Sequence, residues 1–196
     1  LAEVFRAFQV ACLNGGADWV SYVAGGAGPG GYGDVIAPAS DAPLRNGDLL
    51  MIDAGAVRDG YFCDFDRNFA IGSAEPETHR AYRALWHATQ EALAAVRPGM
   101  LACEVHQFLC SALKSHGVAP ASGRFGHGLG VSLTEWPSFN AWDKTPLRAG
   151  MVLTLEPCAQ LAADRSMVHE ENFVLRMDGA ELLSPRAPEE LPVILQ

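Results

Sequence analysis

The sequence has no Cys-x-x-Cys pair, no long apolar run and no surplus of basic residues. Its net charge is −9, whereas binding a polyanion requires a basic footprint, so the balance argues against nucleic acid as a partner. No segment approaches the uninterrupted apolar length of a membrane span, so no membrane partner is expected. The opening residues lack the basic and apolar regions of a secretory signal. The five cysteines (12, 63, 103, 110 and 158) are odd in number and scattered. They read as small structural residues in a reducing compartment, which gives a cytoplasmic expectation. An initiator methionine is also absent: Leu1 already stands inside the helical pattern "LAEVFRAFQVACL". The expectation is therefore one domain over residues 1–196 that lacks an N-terminal part, including the start of its first helix. What is present is ordinary for a globular protein. The apolar fraction is 49% and the charged fraction 19%, and 196 residues suffice for a sizeable core.

Periodicity places the elements. Val4, Phe5, Phe8, Ala11 and Cys12 recur at helical spacing, and Gly15-Gly16 ends that helix. In "VSYVAGGAGPGGYGDVIAP", Gly26, Gly28 and Gly31 match a dinucleotide-binding GxGxxG. That reading requires a helix straight after the glycines; Tyr-Gly-Asp and prolines follow instead, so the stretch is predicted to be a loop. Helices are predicted over about 75–96 and 102–115, the first stopped by Pro98-Gly99. Strands and turns are predicted from 124 onward. His79, His87, His106 and His116 read as edge or solvated groups.

One internal echo organises the chain. "LRNGDLLMID" at 44–53 matches "LRAGMVLTLE" at 147–156, and each is followed by a second acidic strand ending in Asn-Phe. Asp53 thus corresponds to Glu156, and the Asp64/Asp66 region to Glu170/Glu171. The pattern reads as a duplicated strand–turn–strand unit whose two copies face each other.

Within the first copy, Asp59-Gly60 suggests a tight turn. In either register it permits, Asp53, Asp64 and Asp66 share one face, while Cys63 and Phe65 point to the other. Opposed Cβ atoms in such a pair lie about 4.5–5.5 Å apart. Buried carboxylates that close repel, and relief requires a shared proton, an arginine or a cation. Arg67 has the wrong parity, and the further acids Glu156 and Glu170 are too many for one proton. Divalent cations fit better, and an imidazole is at hand in "GRFGHGLG", where glycines flank His127. His169 adjoins Glu170 and must point to the opposite face. Asp53, Asp64, His127, Glu156 and Glu170 would then hold two cations that activate a water.

These stretches, with "GMVLTLEP" and "HEENFVLRMDG", resemble the superfamily of methionine aminopeptidase, aminopeptidase P, prolidase and creatinase, the M24 metallopeptidases. The resemblance covers nearly the whole chain. It implies an α+β pita-bread fold, with two pseudo-symmetric halves, curved antiparallel sheet and flanking helices around a dinuclear site. Asp53 would bind one ion through both oxygens, and Asp64 and Glu170 would bridge. His127 and Glu156 would bind on one side, and Asp66 and Glu171 would be outer or surface groups. By the same analogy a metal-bridging hydroxide cleaves the peptide bond of a Xaa-Pro substrate, with Glu156 as proton shuttle. Manganese, cobalt, zinc or iron would serve as the metal, and a homodimer is implied.

"WPSF" resembles the family's substrate-side stretch, so Thr134, Trp136 and Phe139 are candidate pocket residues. The chain departs from the proline peptidases at three polar positions. Ile36 and Thr134 stand where they carry histidines, and Val168 where some carry arginine. Losing such a donor typically costs on the order of 10²–10³ in rate. Besides a Xaa-Pro peptidase, two readings therefore stand. One is a metal-dependent hydrolase or lyase of this fold acting on a small non-peptide metabolite. The other is a non-enzymatic binding relative, which the intact ligand set disfavours.

Overall fold

The computed structural model describes residues 1–195. Helix α1 (Ala2–Asn14) leads into strand β1 (Trp19–Pro29), then the hairpin β2 (Asp48–Arg58) and β3 (Tyr61–Ile71). Helices α2 (Pro76–Ala95) and α3 (Ala102–Ser115) follow. The second half contains short strands: β4 (Ala119–Pro120), β5 (His127–Gly128), β6 (Glu135–Ser138), β7 (Val152–Leu155) and β8 (Cys158–Ala162). It ends with β9 (Arg165–Val168), β10 (Glu171–Arg176), β11 (Gly179–Leu182) and β12 (Val193–Ile194). Three sheets result, ordered β1-β2-β3-β12, β11-β10-β7-β5-β6 and β4-β8-β9. Among the described residues every strand pairing is antiparallel except β12 against β3, which brings β12 back to the first sheet. No helix among the described residues is long and apolar enough to cross a membrane.

Strand parity explains how the hairpin is covered. Leu50, Ile52 and Ala54 of β2 pack with Phe5 of α1 on one face. Leu49 and Met51, on the other face, join the main core with Tyr82, Leu85 and Leu93 of α2 and Val105 and Leu109 of α3. Asp53 continues that inner face, directly after Leu49 and Met51. The glycines predicted to form a loop divide: Gly26 and Gly28 lie inside β1, paired with Met51 and Leu49 of β2, whereas Gly31 lies in the loop after it. A long antiparallel partner decides that conformation, and local composition does not reveal it. The turn is at Asp59-Gly60, with φ of 52° and 81°, the left-handed pair that tight hairpins favour. It sets Asp53 opposite Asp66, and Gly55 opposite Asp64.

The echo read in the sequence has a structural counterpart. β7 pairs with β10 through Leu155 and Glu171, so Glu156 and Glu170 stand at the facing ends of a second antiparallel pair. The halves are sewn by matched bonds. Asn68 Nδ2 donates to the Val168 carbonyl at 2.6 Å, and Asn172 Nδ2 donates to the Asp64 carbonyl. Arg67 crosses the same seam, donating to the Glu170 carbonyl at 2.7 Å and pairing with buried Glu171 at 3.3 Å. Of the two places expected for Glu171, the surface is ruled out: it is fully buried behind Glu170, and its second oxygen accepts from Ala187 N–H at 2.8 Å.

Candidate metal centre

The seam opens into a cleft of about 670 Å³ lined by Asp53, Asp64, Asp66, His127 and Glu156. Carboxylate oxygens of Asp53, Asp64 and Glu170 lie within 4.8 Å of one another. His127 Nε2 is 3.3 Å from Asp64 Oδ2 and 3.8 Å from Glu156 Oε1. The five residues expected as ligands therefore converge, two from the β2–β3 hairpin and three from the second half.

Local structure aims each of them. Gly126 has a φ of +135°, and a Cβ there would collide with the Thr154 carbonyl and the Phe139 ring. That close approach seats His127 in the sheet beside β7. His127 Nδ1–H donates to the Gly128 carbonyl at 2.8 Å, which turns Nε2 toward the acids. Glu170 Oε2 accepts the Asp66 backbone N–H at 2.7 Å, while Oε1 has no partner among the described residues. Asp66, expected to be an outer group, lines the cleft and is only 4% exposed; its Oδ1 is also unpartnered. It faces Asp53 across the hairpin, so parity puts it inside.

The electrostatics follow from crowding. Burial, and then the neighbouring charges of Asp64 and Glu156, raise the Asp53 carboxyl to about 7 against a Tyr22 hydrogen bond that lowers it. Burial also raises Glu170, helped by Asp64 and Asp66, and raises Asp66, helped by Asp53. Glu156 is raised by burial against the pull of His127 and Arg124. Burial would depress His127, but its bond to Asp64 and the Glu156 charge raise it. Such a set suits divalent cations: two unpartnered buried carboxylate oxygens, five acids, and one imidazole nitrogen turned inward.

Tyr22 and Arg124 also line the cleft, and neither was singled out in the sequence. The single Tyr22 O–H is shared between Asp53 Oδ1, at 2.7 Å, and Asp64 Oδ1. Its ring lies over Gly55, where any Cβ would strike it. Arg124 Nε donates to Glu156 Oε1 at 3.0 Å. Arg124 stood within the quoted "GRFGHGLG", but its reach to Glu156 depends on packing across elements.

The candidate substrate residues divide. Thr134, Ile36 and Val168 line the cleft. Trp136 does not: it is 75% exposed and borders a separate surface hollow with Tyr61 and Val131. Phe139 is fully buried in the core. The reason is backbone pairing. β6 is an edge strand whose register with β5 shifts between His127 and Gly128, and Phe139 exchanges bonds with Gly126 and Phe125. Trp136 is left facing outward, and Phe139 turns beneath the histidine strand. His169 is buried against Tyr82, edge to face, with Nε2 3.7 Å from Glu171 Oε1, and burial lowers it to about 3.

An α+β chain with two sewn halves and a shared acidic cleft has the pita-bread architecture. The chain belongs to metallopeptidase family M24, whose model matches residues 3–176. Membership implies divalent metal ions. The Xaa-Pro dipeptidase of Pyrococcus furiosus is 31% identical over 154 residues, covering 78% of this chain and 44% of that protein. A probable dipeptidase PepE of Mycobacterium bovis is 30% identical over 195 residues, covering 98% of this chain and 52% of the relative. The crystal structure of dipeptidase PepE from Mycobacterium ulcerans superposes with a TM-score of 0.91 at 32% identity, over 100% of this chain and 53% of that one. An X-Pro aminopeptidase structure from Thermotoga maritima shares the fold, with a TM-score of 0.89 at 24% identity over 98% of this chain and 54% of that one. The chain thus spans about half the length of the relatives it matches.

Proposed function

We propose that this chain is the catalytic part of a dinuclear metal-dependent peptidase that cleaves Xaa-Pro dipeptides or closely similar short peptides. The observation that carries the reading is the convergence of Asp53, Asp64 and Glu170 within 4.8 Å, with His127 and Glu156 beside them. Those five residues would hold two divalent cations, with manganese, cobalt, zinc or iron suited to the donor set. Cations held there polarise a peptide carbonyl and lower the pKa of water.

The chain's own groups supply the rest. Glu156, partly exposed to the cleft and raised above the ordinary glutamate range, takes a proton from water and returns it to the leaving amine. Gly128 fixes the His127 tautomer through Nδ1, so Nε2 presents a lone pair to the site. Burial above all, then the charges of Asp64 and Asp53, holds the Tyr22 phenol far above its usual range, so it stays a donor. Ile36 and Val168 give apolar walls suited to a small ring or aliphatic side chain. The five free cysteines support a cytoplasmic setting, and the family resemblance supports a homodimer.

The test is metal content by mass spectrometry after dialysis against Mn²⁺, followed by assay of Xaa-Pro dipeptides. About two ions per chain and manganese-dependent release of proline are expected. Absence of metal binding in every condition would sink the reading.

A further inference from the structure

The inner face of the first sheet is a grid whose rows cross its three long strands. Tyr22, Gly55 and Asp64 form one row, Ala24, Asp53 and Asp66 the next, and Gly26, Met51 and Asn68 the one after. Asp66 is not among the three carboxylates that converge within 4.8 Å. It belongs to the other end of the cleft, where Met51 of the next row and Val168, bonded to Asn68 of that row, form apolar walls. Cys158 pairs with Val168 and lines the same end. Asp66 is pinned but bare. Its N–H donates to Glu170 Oε2 at 2.7 Å and its carbonyl accepts from Arg67 Nη1 at 2.8 Å, which fixes the backbone. Its carboxylate Oδ1 is buried with no partner among the described residues. The neighbouring donors are committed elsewhere: the Tyr32 hydroxyl donates to Asn68 Oδ1 at 3.1 Å, and Asn68 Nδ2 donates to the Val168 carbonyl.

Two divalent cations in the cleft do not answer this charge. Their positive charge balances the carboxylates of Asp53, Asp64, Glu156 and Glu170, the four acids of the ligand set. Arg124 is paired with Glu156, and Arg67 is turned toward the Glu170 carbonyl and Glu171. Asp66 is then a buried carboxylate without a countercharge of its own, a costly arrangement unless a ligand brings one. The walls select the kind of cation. Ala24, Met51 and Val168 offer apolar contact, which matches a methylene stem that carries its charge at the tip. A bare metal ion or an α-ammonium has no such stem. We propose that Asp66 is the countercharge for a cationic side chain of the substrate, so that the site prefers peptides with lysine, or another side chain ending in an amine or guanidinium, beside the cleaved bond. This selectivity rests on the peptidase reading and names its substrate class.

The experiment compares lysylproline with norleucylproline, which has the same stem without the ammonium, on the Mn²⁺-loaded chain. Lysylproline is expected to exceed norleucylproline in kcat/KM by roughly 10–100-fold, the range of a charged hydrogen bond, with most of the difference in KM. Asp66→Asn, or Asp66→Ser where the first does not fold, should bring the ratio close to one. An Asp66 that only positions the cations would lower both peptides together in these variants and leave the ratio intact, which overturns the proposal. Equal values for the two peptides in the unaltered chain also overturn it. So does a third Mn²⁺ per chain that Asp66→Asn removes, because the carboxylate then serves a metal. If neither peptide is cleaved, the peptidase reading fails, and calorimetry of L-lysine against L-norleucine reads the cation site without turnover. The site then stands if lysine binds more tightly and loses that margin in Asp66→Asn, and falls if it does not.

Discussion

Asn68 and Asn172 make the same bond from opposite halves of the chain. Each donates its Nδ2 across the seam to a backbone carbonyl of the other half, Asn68 to Val168 and Asn172 to Asp64. Either change to alanine removes a buried hydrogen bond and should cost about 1–3 kcal/mol in urea unfolding of the metal-free chain. The two variants should part company when metal is titrated. Asn172→Ala loosens Asp64 and should weaken Mn²⁺ binding, whereas Asn68→Ala should leave it nearly unchanged. Equal metal affinities would show that the seam does not position Asp64.

Stability without metal should fall as pH rises. A carboxyl raised in the folded state contributes stability fully below its unfolded value of about 3.9. That contribution is lost as pH climbs through the folded value, about 7 for Asp53. Asp66, Glu156, Glu170 and His127 are shifted upward too, so they act in the same direction. His169, lowered to about 3, acts oppositely, but its contribution is complete above about pH 6.5. Chelated protein should therefore lose roughly 3–8 °C of melting temperature between about pH 6.5 and 8. Mn²⁺-loaded protein should not, and scanning calorimetry with and without chelator distinguishes the two.

Gly126→Ala should be among the most damaging single changes. The new methyl meets the Thr154 carbonyl and the Phe139 ring at a φ of +135°. A cost of about 2–5 kcal/mol is expected, with His127 displaced and metal affinity lost together. A variant of unaltered melting temperature would contradict the packing described.

The two aromatic residues of "WPSF" should behave oppositely. Trp136→Ala, at the surface, should change peptide turnover by less than about twofold. Phe139→Ala should cost about 3–5 kcal/mol through the core, read by denaturant unfolding. A large loss of turnover in stable Trp136→Ala would return that residue to the substrate site.

What the sequence made legible was what short-range rules govern. Apolar periodicity bounded α2 and α3, and Asp59-Gly60 marked the turn that places Asp53 opposite Asp66. The echo of residues 44–53 in 147–156 foretold two facing acidic pairs, and the repeated Asn-Phe held the unread sign of the seam bonds. Long-range pairing hid the remainder. β1 was masked by its glycines because only β2 makes it a strand. Trp136 and Phe139 were misplaced because an irregular edge pairing, invisible in composition, sets their direction. Tyr22 and Arg124 act on residues 31 and 32 positions away, so no local spacing could expose them.

The division of the acids between halves also has a thermodynamic meaning. Asp53 and Asp64 come from the first half and Glu170 from the second, so the affinity for an ion shared among them would be linked to the cohesion of the halves. Each tenfold rise in free metal above its dissociation constant should tighten the closed chain by about 1.4 kcal/mol per site. Ions bound there would in that sense be clasps as well as reagents, and a shortage of metal would loosen the molecule before it emptied the site.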